Sequence, residues 1–174
     1  MFRKLVEKNR SYRRFHEDKP ISVEILRDLI DLARLTPSAR NVQPLVYMLV
    51  TKKTQREKVF PSLAWAGNLK DWPGPEEGER PSAYVIILRR KDLKDAAGVD
   101  HGIVGQTILL GAVEKGLGGC MIGAINKNQL RQQLSIDDQY EILLVLALGV
   151  PAERVVIDDL PESGETGYWR DEQS

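Results

Sequence analysis

Apolar positions along this chain recur with two periods, one helical and one not. After Ser22, the residues Leu26, Leu29, Ile30 and Ala33 follow the i, i+3, i+4, i+7 spacing that gives a helix one apolar face. Ser22 stands where an N-cap oxygen is needed, and Glu24 sits in the first turn against the positive end of the dipole. Pro37 disfavours helical geometry at Thr36, so the helix is expected to stop there. A shorter helix is expected over residues 2–9, with Phe2, Leu5 and Val6 on one face. Three other runs lack helical spacing and are rich in β-preferring residues. They are Leu45–Thr51, Ala83–Leu88 and Ile142–Leu148, and each reads as a buried strand. Residues 54–72 read as irregular helix and loop, and PGPEEGERP (73–81) as a surface loop. Asn126 is placed to cap a last short helix bearing Leu130 and Leu134.

One segment fits neither pattern. VDHGIVGQTILLGAVEKGLGG (99–119) is long enough for a helix but is apolar nearly all round, with glycines at 102, 105 and 111. Each glycine inside a helix costs about 1 kcal/mol relative to alanine, so tertiary packing has to offset it. A helix with no wet face must be covered on every side, and in a chain this small the expected cover is a partner subunit. The order helix, helix, strand, strand, buried helix, helix, strand has too few strands for a barrel. It predicts an α+β fold, a central mixed or antiparallel sheet flanked by helices, in a single domain over residues 1–174.

Composition narrows the functions. With 174 residues, 42% of them apolar and 29% charged, the chain is globular rather than disordered. Its 25 basic residues match 25 acidic ones and are scattered, which argues against nucleic acid or anionic lipid as a partner. A single cysteine, Cys120, precludes an intrachain disulfide framework and fits a reducing compartment. MFRKLVEKNR lacks the apolar stretch of a signal peptide, and the run Ile142–Val150 falls short of the ~20 residues of a membrane helix. A soluble, cytoplasmic protein is therefore expected.

Four stretches carry candidate chemistry. GLGGC fails the G-x-G-x-x-G spacing, since the sixth position from Gly116 is Met121, and it follows a helix where that fingerprint follows a strand. One of its glycines is expected to end the helix; the others permit a close approach, to a flat ring among other possibilities. NRSYRRF (9–15) groups Arg10, Arg13 and Arg14 around Ser11, the forks and hydroxyl that suit a phosphate, although charge alone fits a solvated basic turn. TPSARNVQP (36–44) offers Ser38, Asn41 and Gln43 on a backbone stiffened by Pro37 and Pro44. Its amides pair donor with acceptor as a pyrimidine-like edge requires, and a plain helix-to-strand turn is the alternative. AWAGNLKDW supplies Trp65 and Trp72, as core filler or as rim aromatics. His16 and His101 have no metal-ligand spacing, so no metal is expected. Cys120 reads as a small buried hydrophobe, and Asp100–His101 as an acid–base pair or a charged helix start.

Together NRSYRRF, TPSARNVQP and GLGGCMIGAI, with YWRD near the end, resemble the FMN-dependent nitroreductase family over nearly the whole chain. The resemblance implies an intertwined homodimer in which Arg10, Ser11 and Arg13 hold the FMN phosphate and ribityl chain. It further implies that Pro37, Ser38 and Asn41, with Gln43 nearby, reach the flavin from the other subunit. Met121, Ile122 and Gly123 would lie along the ring with a backbone N–H near its N5. The family carries a basic Lys-Arg pair beyond the YWRD-like segment. Here the sequence ends at Ser174, four residues past Arg170, so either Arg170 takes that place or the chain is truncated. The implied activity is electron transfer from NADH or NADPH through FMN to a small aromatic, quinone or nitro acceptor, by a ping-pong route without a dedicated catalytic acid or base. Trp65 and Trp72 are the expected acceptor-binding residues. A dehalogenase-type reaction and a flavin-binding or structural dimer without turnover are the alternatives.

Overall fold

The computed structural model describes residues 1–93 and 98–171. Its helices are α1 (Phe2–Lys8), α2 (Val23–Arg34), α3 (Lys53–Val59), α4 (Asp100–Glu114) and α5 (Lys127–Leu134). Its strands are β1 (Leu45–Val50), β2 (Ala83–Arg90), β3 (Gly118–Ile122) and β4 (Tyr140–Gly149). The caps read from the sequence are formed: the Ser22 hydroxyl accepts from the Ile25 amide and the Asn126 side chain from the Gln129 amide. Helix α2 ends at Arg34, three residues ahead of Pro37.

The strands form one sheet in the order β1-β2-β4-β3, antiparallel at every pairing. Alternation along β2 sends Val85 and Ile87 to one face and Tyr84, Ile86 and Leu88 to the other. The first face is covered by α2 and α4, through Leu26, Leu29, Ala33, Val104, Ile108 and Ala112. The second is covered by α3, α5 and the chain between them, through Val59, Leu63, Trp65 and Leu130. Because both faces are covered, β2 and β4 are apolar at consecutive positions rather than alternate ones. A bulge opposite Ile87 and Leu88 places Leu143 as the extra residue in β4, so that Leu143 and Leu144 both join the α2–α4 face.

Two expectations are corrected. Three strands were expected, and the described residues form four; the added one, β3, is GGCMI. The helix expected to run into it stops at Glu114. Two glycines in five residues give little strand propensity, and pairing with β4 outweighs it. The glycines have separate tasks. Gly116, at φ +76°, turns the chain after α4. Gly118 and Gly119 permit close approaches to other parts of the protein. A Cβ on Gly118 would lie 2.5 Å from the Tyr12 ring, and one on Gly119 would lie 2.3 Å from the Ala147 carbonyl oxygen. Likewise Gly111 makes room for Leu32 and Leu29, which lets α4 settle against α2.

Helix α4 is buried on the sheet side, yet Gly102, Ile103 and Gln106 are exposed on its outer side. Among the described residues no helix is long and apolar enough to cross a membrane.

The glycine at the β3–β4 seam gives a direct test. Gly119→Ala should lower thermal stability by about 1–3 kcal/mol, because backbone on a central strand cannot withdraw from the new methyl. Gly67→Ala, where an added Cβ meets nothing within 4 Å, should change stability little. Calorimetric unfolding of both variants checks this, and equal shifts would refute the packing argument.

Candidate functional site

The site is built on an N-terminal arm, residues 9–16, laid along the free edge of the sheet. Asn9 closes α1 by donating its amide to the Leu5 carbonyl at 2.9 Å. Ser11 then bridges Gly119 in parallel, with the Tyr12 amide donating to the Gly119 carbonyl at 3.1 Å. Further on, Phe15 bridges Pro151 and the His16 amide donates to the Val150 carbonyl at 2.9 Å. Phe15 itself is fully buried and packs on Gly149. Burial of a phenylalanine contributes about 1.5–3 kcal/mol and anchors the arm.

Between arm, α4 and β3 lies a cavity of about 290 Å³ lined by Asn9, Arg10, Ser11, Gln106, Leu109 and Met121. Arg10 donates through Nη2 to the Val6 carbonyl at 2.8 Å, while its Nε–H is buried with no acceptor. A buried guanidinium N–H without a partner is costly, and it suits a site whose anionic ligand supplies the acceptor. Met121 is 37% exposed, and Gly105 on α4 leaves room for its methyl group. Ile122 is only 5% exposed and turns into the core, so its backbone alone can line a site. At Gly123 an added Cβ would meet open space.

Arg13 stands beside this cavity rather than in its wall. Its Nη1 donates to the Ser11 carbonyl at 3.2 Å and its guanidinium lies 4.6 Å from the Tyr168 ring centroid. Arg170 donates through Nη2 to Glu153 at 2.7 Å and covers the Trp72 ring at 4.0 Å. Burial lowers the Arg170 pKa, an effect the Glu153 carboxylate opposes. Trp72 is half-buried, but Trp65 belongs to the core at 8% exposure, beneath Gly74. Residues 62–65 pair with 124–126, through Ala64 N–H to the Ala124 carbonyl and the Leu63–Ile125 bridge. That pairing fixes the tryptophan-bearing loop next to the end of β3.

The 36–44 stretch forms a strained turn. Arg40, Asn41 and Gln43 all have left-handed backbones, at φ 53°, 55° and 51°. Such geometry costs about 1–3 kcal/mol per non-glycine residue and persists only when the surroundings impose it. Here the imposing group is Asp100, 2% exposed at the start of α4. It accepts from the Ser38 hydroxyl at 2.6 Å and from the Ala39 amide at 3.2 Å. Ser38 Oγ in turn accepts from the Gln43 amide at 2.9 Å, and Gln43 Nε2 donates to Asn41 Oδ1 at 2.8 Å. Asn41 and Gln43 point into solvent. A second cavity of about 160 Å³ lies beneath, walled by Pro37, Ser38, Gln43, Tyr47, Asp100 and Val104. Burial pushes the Tyr47 hydroxyl up to about 12, with the Asp100 charge adding to it.

Within one chain these are two separate cavities. With about 3.6 residues per turn, Val104 and Gln106 face nearly opposite ways from α4. Arg10, Ser11 and Met121 are therefore brought together, and Pro37, Ser38, Asn41 and Gln43 are brought together elsewhere. Asp100, Gln106 and Glu153 are the residues that sequence reasoning did not place in the site. Only Asp100 left a signal, as a charge at a helix start. Cys120 is inert: burial pushes its thiol up to about 12. Among the described residues no group of three or more His, Cys, Asp or Glu is arranged to hold a metal.

The same fold occurs in known proteins. A nitroreductase family protein from Streptococcus pneumoniae superposes with a TM-score of 0.75 at 18% identity, covering 98% of this chain and 100% of its own. An FMN-dependent nitroreductase from Clostridium difficile R20291 does so with a TM-score of 0.72 at 20% identity, covering 89% and 90%. In sequence, YodC of Bacillus subtilis, provisionally named an NAD(P)H nitroreductase, is 24% identical over 169 residues, spanning 80% of this chain and 84% of YodC. The model of the nitroreductase family matches residues 6–150, a stretch that takes in the arm, the strained turn, α4 and the whole sheet, and the chain belongs to that family.

Proposed function

We propose that the chain binds FMN against the arm and β3 and acts as an oxidoreductase, taking electrons from NADH or NADPH and delivering them to a small aromatic, quinone or nitro acceptor. The observation that carries this reading is the arm cavity, walled by Arg10, Ser11 and the exposed Met121. These residues fit a phosphorylated, partly apolar ligand. The likeness to the FMN-dependent nitroreductase of Clostridium difficile supports FMN, and that to YodC, provisionally an NAD(P)H nitroreductase, supports NAD(P)H.

Bound FMN would supply a two-electron relay that the side chains here lack. Arg10 and Ser11 would bind its phosphate end, with Arg13 adding charge from the side. The backbone of Met121, Ile122 and Gly123 would flank the ring, and the open space at Gly123 leaves that approach clear. Arg170 is held by Glu153, so its charge acts on the arm rather than as a free anion ligand. Trp72 would border the acceptor, and Trp65 would support that loop from the core. Cys120 is buried in the core and does not line the cavity.

Two copies would complete the site. The exposed side of α4, with Gly102, Ile103 and Gln106, would meet its counterpart and bring Pro37, Ser38, Asn41 and Gln43 of one chain to the arm cavity of the other. Donor and acceptor would then use one site in turn, a ping-pong scheme.

Three outcomes are expected. FMN added to the purified protein should bind with a shifted visible spectrum, and anaerobic NADH or NADPH should bleach it; binding without bleaching by either nucleotide would refute the reductase. Asp100→Ala should weaken FMN binding by about tenfold or more while the protein remains folded, because charge-assisted bonds hold the strained turn. Equilibrium titration with circular dichroism checks that outcome. Ile103→Arg should shift the protein from dimer to monomer in sedimentation, and an unchanged dimer would place the interface elsewhere.

A further inference from the structure

Glu153 has a place in the fold that no motif announced. Its side chain is 5% exposed, and every bond found for it goes to protein. Oε1 accepts from the backbone amides of Arg13 and of Arg14, the latter at 3.1 Å. Oε2 accepts from Arg170 Nη2 at 2.7 Å. These amides fall in the gap between the arm's two strand-like contacts, a gap crossed by a backbone bond from the Ala152 amide to the Arg14 carbonyl at 3.0 Å. Before them the arm is tied to Gly119, and after them to Val150 and Pro151. A buried amide needs an acceptor, and across this gap the sheet edge provides none.

A carboxylate beside an anion site looks adverse, since like charges repel. Here its charge is already matched by a guanidinium and two N–H dipoles, so what it contributes to the site is geometry. With Arg13 and Arg14 fixed by their backbones, the arm bends so that Arg13 Nη1 reaches back to the Ser11 carbonyl at 3.2 Å. The segment presented to the cavity, Asn9 to Ser11, is thereby held from its C-terminal side.

We propose that Glu153 is a positioning residue that sets this site's preference for phosphorylated over unphosphorylated flavin, by fixing the arm that carries Arg10 and Ser11. The inference rests on the FMN reading above. It commits Glu153 to the phosphate end of the ligand and not to the ring.

The test uses the full chain as wild type, Glu153→Gln and Glu153→Ala. Binding of FMN and of riboflavin is read by flavin fluorescence, and hydrogen exchange is followed at residues 11–15 and in β4. Glu153→Ala should lose about tenfold or more in FMN affinity, the size expected when bonds to a charged group are removed, with riboflavin affinity unchanged. Exchange at residues 11–15 should rise while β4 stays protected. Glu153→Gln, which keeps an acceptor oxygen for the amides, should recover part of the FMN preference. Equal losses for FMN and riboflavin, or raised exchange in β4, would overturn the proposal in favour of a general structural role. Unchanged FMN binding would overturn it by showing that Glu153 has no influence on the site, and tighter binding by showing that the carboxylate acts through its charge. If wild type binds neither flavin, the FMN reading itself fails and takes the phosphate preference with it. In that case exchange at residues 11–15 still decides whether Glu153 fixes the arm.

Discussion

The contact on which this structure depends is the approach of the N-terminal arm to the edge of β3. It exists because Gly118 carries no side chain, while Gly119 makes the same allowance for the pairing of β3 with β4. A methyl on the first would collide with Tyr12 and one on the second with the Ala147 carbonyl. Gly119 thus serves two partners at once, β4 on one side and the arm on the other. Without the arm there would be no cavity, since three of its six wall residues are Asn9, Arg10 and Ser11. The glycines lower local strand propensity, and what they permit is a pairing that tertiary packing then secures.

Two buried carboxylates play the same part at different places. Glu153 collects backbone amides of the arm, and Asp100 collects a hydroxyl and an amide of the 36–44 turn. Each is an acceptor-only group placed where irregular backbone has donors without partners. Irregular segments are usually solvated because burying their polar groups is costly. A well-placed carboxylate offsets that cost and also fixes the segment's shape, which a ligand site requires. The turn shows the effect most plainly, for its three left-handed non-glycine residues would relax if Asp100 let go.

How much of this was legible follows from the range of each interaction. Helix α2, its Ser22 cap and the strands β1, β2 and β4 were readable because their patterns are local and repeated. Strand β3 was not, because GGCMI is strand only by virtue of β4 and the arm. The grouping of Arg10, Ser11 and Met121 was legible through resemblance, not spacing, as more than a hundred residues separate arm from strand. Glu153 was invisible: nothing in PAERVV distinguishes it from a solvated glutamate, and its partners lie about 140 positions away. Trp65 was open to two readings, core filler or rim aromatic, because a loop sequence does not fix burial, and the structure puts it in the core.

Helix α4 brings these strands of argument together. It is apolar nearly all round, yet a single chain covers only the side facing α2 and the sheet. Its buried side needs Gly111 for the approach of α2, and its first residue, Asp100, locks the turn. The uncovered side carries Gly102, Ile103 and Gln106, and the two cavities open from opposite sides of the same helix. A helix that divides a polar turn from a cationic arm within one chain would unite them by pairing with another copy. On the proposed function the exposed stripe of α4 and the separation of the two cavities would then have one cause: each side of the helix would carry half of a cofactor clamp, and association of two chains would close both at once.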